Sequence, residues 1–195
     1  MDTVTAVRAA GRSRVDVEID GVVWRTLPAE AVVRAGLRPG RMLDRPTLRS
    51  LRRELRREEA LSIASRLLRT RDRSSRLLDS RLAEAGVAPA ARREALEILE
   101  RAGILDNRRF AAVRAAGLAA RGYGDAAVRF DLEQAGIGSR LVEETLAKLV
   151  PEQERAREIL QGRGSTPKTA RFLAGKGFGE DAIEAALEER VAPEA

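Results

Sequence analysis

The feature that most constrains this chain is a frame that occurs three times. Gly86, Gly136 and Gly177 each stand four residues after a leucine (Leu82, Leu132, Leu173), directly before an apolar residue (Val87, Ile137, Phe178), and eleven residues after an N-cap type (Ser75, Asp125, Thr166). An oxygen-bearing side chain takes one of the free amides that open a helix, glycine adopts the left-handed backbone that ends it, and the next apolar residue folds back on the last turn. Each frame therefore predicts one three-turn helix. Leu68, Leu118 and Ile159 lie eighteen residues before the glycines, and Leu96, Leu146 and Leu187 ten after them, so each unit reads as helix, capped helix, helix. The glycines are fifty and then forty-one residues apart, which places the extra nine in the first connection, Glu97 to Asp106, where Gly103 stops one helix and Asp106 caps the next.

Units of this size stack side by side, because none buries its apolar face alone. The expected fold is mainly α: three tandem three-helix repeats forming an elongated curved array, preceded by a small N-terminal β-hairpin plus helix module. The expected boundaries are 1–57 for the N-terminal module, then 58–105, 106–150 and 151–195 for the repeats. The alternative is an irregular helical domain whose self-similarity reflects a composition rich in Ala, Leu and Arg.

The N-terminal piece differs in kind. Val15, Val17 and Ile19 alternate with polar residues, Asp20-Gly21 is a two-residue hairpin signal, and Val22, Val23, Trp24 and Thr26 continue in β-forming types. After Pro28 a short helix is expected through Ala35, closed by Gly36, then a turn at Leu37-Arg38-Pro39-Gly40 and a basic helix from Asp44 or Arg45. A lone hairpin is marginal in water, so it must lean on that helix or on a partner. Trp24, the only tryptophan, is expected to anchor this packing, with a role in interaction as the alternative.

Composition excludes several functions. The chain of 195 residues has no cysteine and no histidine, which removes disulfides, thiol chemistry, the commonest metal ligand and the commonest general base. Only 3% of it is aromatic, so packing must rest on Leu, Val, Ile and Ala. Three phenylalanines within the repeats, Phe110, Phe130 and Phe172, are read as packing residues beside the frame residue Phe178. There is no apolar run of membrane-spanning length and no signal-peptide core near Met1, so the expectation is a soluble cytoplasmic protein. The pairs Glu143-Glu144 and Glu188-Glu189 fall on neighbouring helix positions where side chains diverge, and read as solvated surface. Gly162-Arg163-Gly164-Ser165 lacks the lysine of a phosphate loop and reads as the joint before the Thr166 cap, and the glycines of Gly122-Tyr123-Gly124 read as a turn. No enzyme and no cofactor are expected.

The charge is concentrated. Residues 45–81 carry twelve arginines against five acids, a net of +7 in a chain whose total is +6. Of the 36 basic residues, 33 are arginine, whose planar fork suits phosphate and carboxylate alike. Such a block binds nucleic-acid backbone or an acidic protein groove, unless it is simply a solvated helix face. Arg49, Arg52, Arg53, Arg56 and Arg57 fall on one helix, and Arg66, Arg69, Arg73 and Arg76 carry the basic surface into the first repeat.

The residues resemble the RecX family of regulatory proteins. The resemblance is clearest in Gly103-Ile104-Leu105-Asp106-Asn107 with Arg109-Phe110-Ala111, then Arg121-Gly122-Tyr123-Gly124, then Asp131-Leu132 with Gly136-Ile137. It continues in Arg71 to Ser75 with Leu82 and Gly86, and in Arg171-Phe172-Leu173 with Lys176-Gly177-Phe178. It spans about residues 58–190, and the hairpin is similar to an extension that some members carry. The third unit departs most, with Glu154 where the first two have Ile63 and Val113. The resemblance implies a crescent that docks in the groove of a RecA filament on single-stranded DNA and restrains strand exchange, ATPase activity and RecA-stimulated cleavage of the SOS repressor. It implies RecA and its filament as partners, with weak direct DNA binding as an additional expectation; nothing like a heptad zipper argues for a dimer, so a monomer is expected. A stand-alone helical nucleic-acid-binding protein is the alternative, with arginines on phosphate and Tyr123 available for base stacking. The candidate contacts outside the arginine block are Arg121, Tyr123 and Arg171.

Overall fold

The computed structural model describes residues 2–188 and divides them into two compact units. One holds residues up to Arg71 together with Leu78–Ile104; the other holds Asp72–Leu77 together with residues from Leu105 onward.

The first unit opens with an antiparallel sheet of β1 (Val4–Ala9), β2 (Arg14–Ile19) and β3 (Val22–Pro28), in that order. Asp20 (φ 49°) and Gly21 (φ 83°) form the type I′ turn that the Asp-Gly pair requires. The sheet has one strand more than the expected hairpin. Two alanines blur the alternation of β1, yet its Val4 is fully buried beside Val17. These two pack with Leu27, Val32, Leu37 and Leu51, so branched aliphatics fill a core that contains no aromatic ring.

Trp24 is not its anchor. Val17 pairs with Arg25 and Glu18 with Val23, so Trp24 is the extra residue of a β-bulge on an edge strand. It lies 36% exposed, with the Arg25 guanidinium 5.5 Å from its ring.

Helix α1 (Ala29–Arg34) ends at Gly36, and α2 (Arg45–Thr70) starts from an Asp44 cap whose carboxylate accepts the Thr47 amide at 2.8 Å. The hydrogen bonds from Thr47 hold that carboxyl below its ordinary pKa. With no glycine, and no proline beyond its first turn, α2 runs unbroken for 26 residues, through positions 57 and 58. Ala60 of α2 packs on Ala91 and Ala95 of α4 (Pro89–Arg101), small residues that let the helices approach closely. One turn earlier a buried arginine spans the same gap. Arg57, 5% exposed, reaches Glu54 at 2.8 Å on its own helix and Glu94 of α4 at 3.5 Å.

Helix α3 (Ser75–Glu84) and the second unit supply the rest of the repeats. In the second unit α5 (Asn107–Ala119), α6 (Asp125–Gln134) and α7 (Ser139–Leu146) enclose Phe110, Leu118, Val128, Leu132, Ile137 and Val142. Helices α8 (Glu152–Arg163), α9 (Pro167–Gly175) and α10 (Glu180–Glu188) enclose Leu160, Leu173, Phe178 and Ile183. Helix, capped helix, helix is thus the order in both of these repeats, as the frame predicts. Phe130 is a correction, being 64% exposed. The inward stripe of α6 is Val128 and Leu132, and a residue midway between two members of such a stripe points to the opposite side. Helix α4 has 13 residues where α7 has 8, so much of the extra length of the first repeat is helix, not connection.

All three frame glycines end their helices as predicted, with φ of 79°, 78° and 82° for Gly86, Gly136 and Gly177. In each case the amide of the following apolar residue donates to the frame leucine, Val87 to Leu82, Ile137 to Leu132 and Phe178 to Leu173, at 3.0–3.1 Å. The helix starts sit differently. Thr166 caps α9 as expected, but the cap of α3 is Ser74, which accepts the Leu77 amide, and α6 begins from Gly124 with no side-chain cap. Ser75 and Asp125 are first-turn residues.

The amides of α6 that lack a side-chain cap find another partner. Gly124 donates to the Lys176 carbonyl at 3.0 Å and Ala126 to the Gly177 carbonyl at 3.1 Å, so the closing turn of α9 caps the start of α6. Arg155, 8% exposed, locks the joint by donating to the carbonyls of Tyr123 (2.8 Å) and Val150 (2.9 Å) and to the Asp125 carboxylate. Glu152 accepts the amides of Asp125 (2.5 Å) and Gly179 (3.3 Å). The closing turn of α6 is used the same way: the Ala135 carbonyl accepts the Ser74 hydroxyl at 2.5 Å, and the Arg76 side chain covers Gly136.

These contacts generate two predictions. Gly124 has φ −80°, open to any residue, but a Cβ there would lie 2.3 Å from backbone atoms of Gly177 and Phe178. Gly138, the matching start of α7, has φ −68° and nothing within 4 Å. Gly124→Ala should therefore cost about 1–3 kcal/mol in chemical denaturation and Gly138→Ala less than about 0.5 kcal/mol; equal effects would remove the joint from the account. For the buried pair, Glu54→Leu or Arg57→Met alone should cost about 3–5 kcal/mol by stranding a charge, and the double variant should recover most of that loss. Additive losses in the double-mutant cycle would show that the two side chains are not coupled.

Candidate partner-binding surface

Positions 49, 52, 53 and 56 of α2 follow helical spacing, and the fold puts all four arginines along one wall of a cleft of about 320 Å³. The opposite wall is the first turn of α4, with Ala88, Ala90, Ala91 and Glu94. That turn has Pro89 at its first position and no capping side chain, so its remaining amides present the positive end of the helix dipole.

The guanidiniums of the block are unevenly engaged. Arg53 is held by Glu54 at 2.8 Å, and Arg49 only by the Arg45 carbonyl at 3.4 Å. Arg52, Arg56, Arg66 and Arg69 are exposed, and none has a carboxylate within 4 Å among the described residues. Arg57, grouped with them by sequence, is instead the buried member of the bolt between α2 and α4. Arg73 is half-buried, and the exposed Arg76 lays its stem on Gly136.

Four arginines of the second unit are paired with acids. Arg114 makes a two-pronged pair with Asp131 at 2.7 and 2.8 Å, and Arg129 one with Glu143 at 3.0 Å. Arg108 and Arg140 both reach Glu144, at 2.8 and 3.0 Å. The hydrogen bonds from these arginines hold Glu143 and Glu144 below the usual carboxylate range. Glu143 and Glu144 lie on the surface as expected, but as ion-pair partners. Glu188 is exposed, and Glu189 falls outside the described residues.

Of the remaining candidates, Arg121 and Arg171 are exposed, and Arg171 donates to the Pro167 carbonyl at 3.3 Å. Tyr123 is half-buried against the α5–α7 core, and the Lys176 ammonium sits 4.1 Å from its ring centre. That ammonium is also 5.8 Å from Phe172, which has Arg163 at 4.1 Å, so cations already cover faces of both rings. Sequence reasoning missed Arg155, since nothing in the spacing of Arg155 and Asp125 links them, and missed the α4 wall, whose alanines carry no chemical signal. Among the described residues no group of three or more acids could hold a metal ion, and no helix is long and apolar enough to cross a membrane.

No protein-family model matches the chain. Individual proteins do. A regulatory protein RecX of Halorhodospira halophila is 30% identical over 139 residues, 66% of this chain and 86% of that protein. One from Chromohalobacter salexigens is 33% identical over 133 residues, 64% of this chain and 88% of that protein. Among solved structures, a crystal structure of regulatory protein RecX superposes with a TM-score of 0.83 at 19% identity, covering 97% of this chain and all of that one. RecX from Lactobacillus salivarius gives 0.62 at 15% identity over 69% of this chain and 96% of that one. The solved structures establish the fold, the sequence relatives establish descent, and the chain belongs to the RecX family of regulatory proteins.

Proposed function

We propose that the protein binds RecA, in the groove of the filament that RecA forms on single-stranded DNA, and inhibits its recombinase, ATPase and SOS co-protease activities in the cytoplasm. The observation that carries this reading is the basic face of α2. Arg49, Arg52, Arg56, Arg66 and Arg69 stand exposed without carboxylate partners, in a protein that pairs Arg108, Arg114, Arg129 and Arg140 with its own acids. Five guanidiniums without carboxylate partners on one helix repel one another, and an acidic groove or a phosphate backbone relieves that repulsion. Arg73, Arg76, Arg121, Tyr123 and Arg171 are further contact candidates in the second unit. Several weak contacts on neighbouring RecA protomers add up through effective concentration. The role is regulatory, with no chemical step assigned to any side chain.

The test is charge reversal with RecA as the readout. Because exposed unpaired charges contribute little to folding, Arg49, Arg52, Arg66 and Arg69 changed together to Glu should leave helicity and melting near the parent's. The variant should lose inhibition of RecA ATPase and strand exchange, and the parent's inhibition should weaken steeply as salt rises. Full inhibition by the folded variant would falsify the assignment of this face. Equal affinity of the parent for bare DNA and for RecA filaments would favour a stand-alone nucleic-acid-binding protein.

A further inference from the structure

The cleft between α2 and α4 has properties that the rest of the basic face lacks. Arg49, Arg52, Arg53 and Arg56 line it along about 10 Å of helix, at 1.5 Å of rise per residue, while Arg66 and Arg69 lie outside it. Its far wall is made of three alanines, Glu94 and a helix start, so the guanidiniums line a half-open slot in place of a flat surface. The slot has a rigid frame. Arg57, held by Glu54 on its own helix, reaches Glu94 at 3.5 Å and so ties α2 to α4 from behind, and Glu54 also orients Arg53 at 2.8 Å. Arg52 and Arg56 project into it with no anion of the protein's own. Glu94 is the single acid on the lining, and it is 3.5 Å from Arg57.

We propose that this cleft is a phosphate-binding site that takes two adjacent phosphate groups. The guanidinium fork binds phosphate oxygens in pairs, and the uncapped first turn of α4 offers backbone amides to the same anion. Two phosphates match the length of the arginine row better than one. The lining offers no aromatic face and no side-chain amide, so it recognises phosphate and not a base. Adjacent phosphates occur in a nucleic-acid strand and in a free diphosphate or polyphosphate, and both present the chemistry the cleft accepts. The proposal deepens the functional reading by separating these four arginines, as phosphate contacts, from Arg66 and Arg69.

The experiment uses the full chain without RecA, so that its failure is distinct from failure of the RecA reading. Pyrophosphate and a fluorescent oligothymidylate are titrated against the parent, an Arg52→Gln/Arg56→Gln variant, and an Arg66→Gln/Arg69→Gln variant with the same loss of charge. The cleft variant should bind at least one probe about tenfold more weakly, and the control should change less than about twofold. For the oligothymidylate, losing two phosphate contacts should also lower the slope of log K against log salt by about 1.4, at roughly 0.7 per contact on a single strand. Binding of pyrophosphate and the oligomer, or of either alone, supports the site and identifies its source. Equal losses in both variants, no binding of either probe, or displacement of the probes by polyglutamate as readily as by pyrophosphate would overturn it. Arg52→Lys keeps the charge and loses the fork, so it should retain only part of the affinity, whereas full retention would reduce the cleft to a diffuse positive field.

Discussion

The interaction on which the second unit depends is the use of one helix's closing turn as the cap of another. A helix start leaves amides without partners, and a helix end leaves carbonyls without them. Here the carbonyls of Lys176 and Gly177, at the end of α9, accept the amides of Gly124 and Ala126 at the start of α6. Opposite dipole ends meet, and one contact satisfies both deficits. The contact needs backbone against backbone, which is why glycine faces glycine: a side chain on Gly124 or Gly177 would overlap the opposing main chain. Arg155 and Glu152 then fasten the same joint from the first turn of α8, each binding groups on two other segments. The turn at Gly136 repeats the device with a side chain, the Ser74 hydroxyl on the Ala135 carbonyl.

Arginine does two different jobs in this chain. In the second unit several arginines pair with acids across helices, as Arg114 with Asp131 and Arg129 with Glu143. On α2 the exposed Arg49, Arg52, Arg56, Arg66 and Arg69 have no acid partner and Arg53 has one only on its own helix, while Arg57 is buried and holds α2 to α4. The frame of the proposed binding face and the face itself thus come from one helix, with Arg57 and Glu54 turned inward and Arg49, Arg52 and Arg56 outward. A face of that kind suits the proposed partner, a large anionic assembly, because affinity spread over many charged side chains would respond to salt.

Much of the fold was legible because glycine, leucine and the apolar residue after the glycine leave a fixed signature of a helix end, and all three ends fall where the frame puts them. Helix starts were less legible, since a first-turn Ser or Asp and a true cap look alike: Ser75 and Asp125 sit one residue inside the helices that Ser74 and Gly124 begin. The departure of Glu154 from Ile63 and Val113 has a simple cause: Ile63 is half-buried, but Val113 is 61% exposed and Glu154 also faces solvent, so the position is not a core position in the second and third repeats. Strand β1 was hidden by its alanines, and Trp24 and Phe130 were misplaced because an aromatic residue in a chain with few is easily taken for core. The arginine face was visible as a charge block; that α4 closes one side of it to form a cleft, and that Arg57 is withdrawn from it, depends on tertiary contacts that no local pattern reports.

The central claim, that the closing turn of α9 caps the start of α6, is tested most directly by amide hydrogen exchange in the parent protein. The Gly124 and Ala126 amides have no partner within their own helix, so their protection can come only from the carbonyls of Lys176 and Gly177. The account predicts that both exchange about as slowly as the Leu132 amide inside α6. Exchange as fast as that of the uncapped first-turn amides of α7 would contradict it.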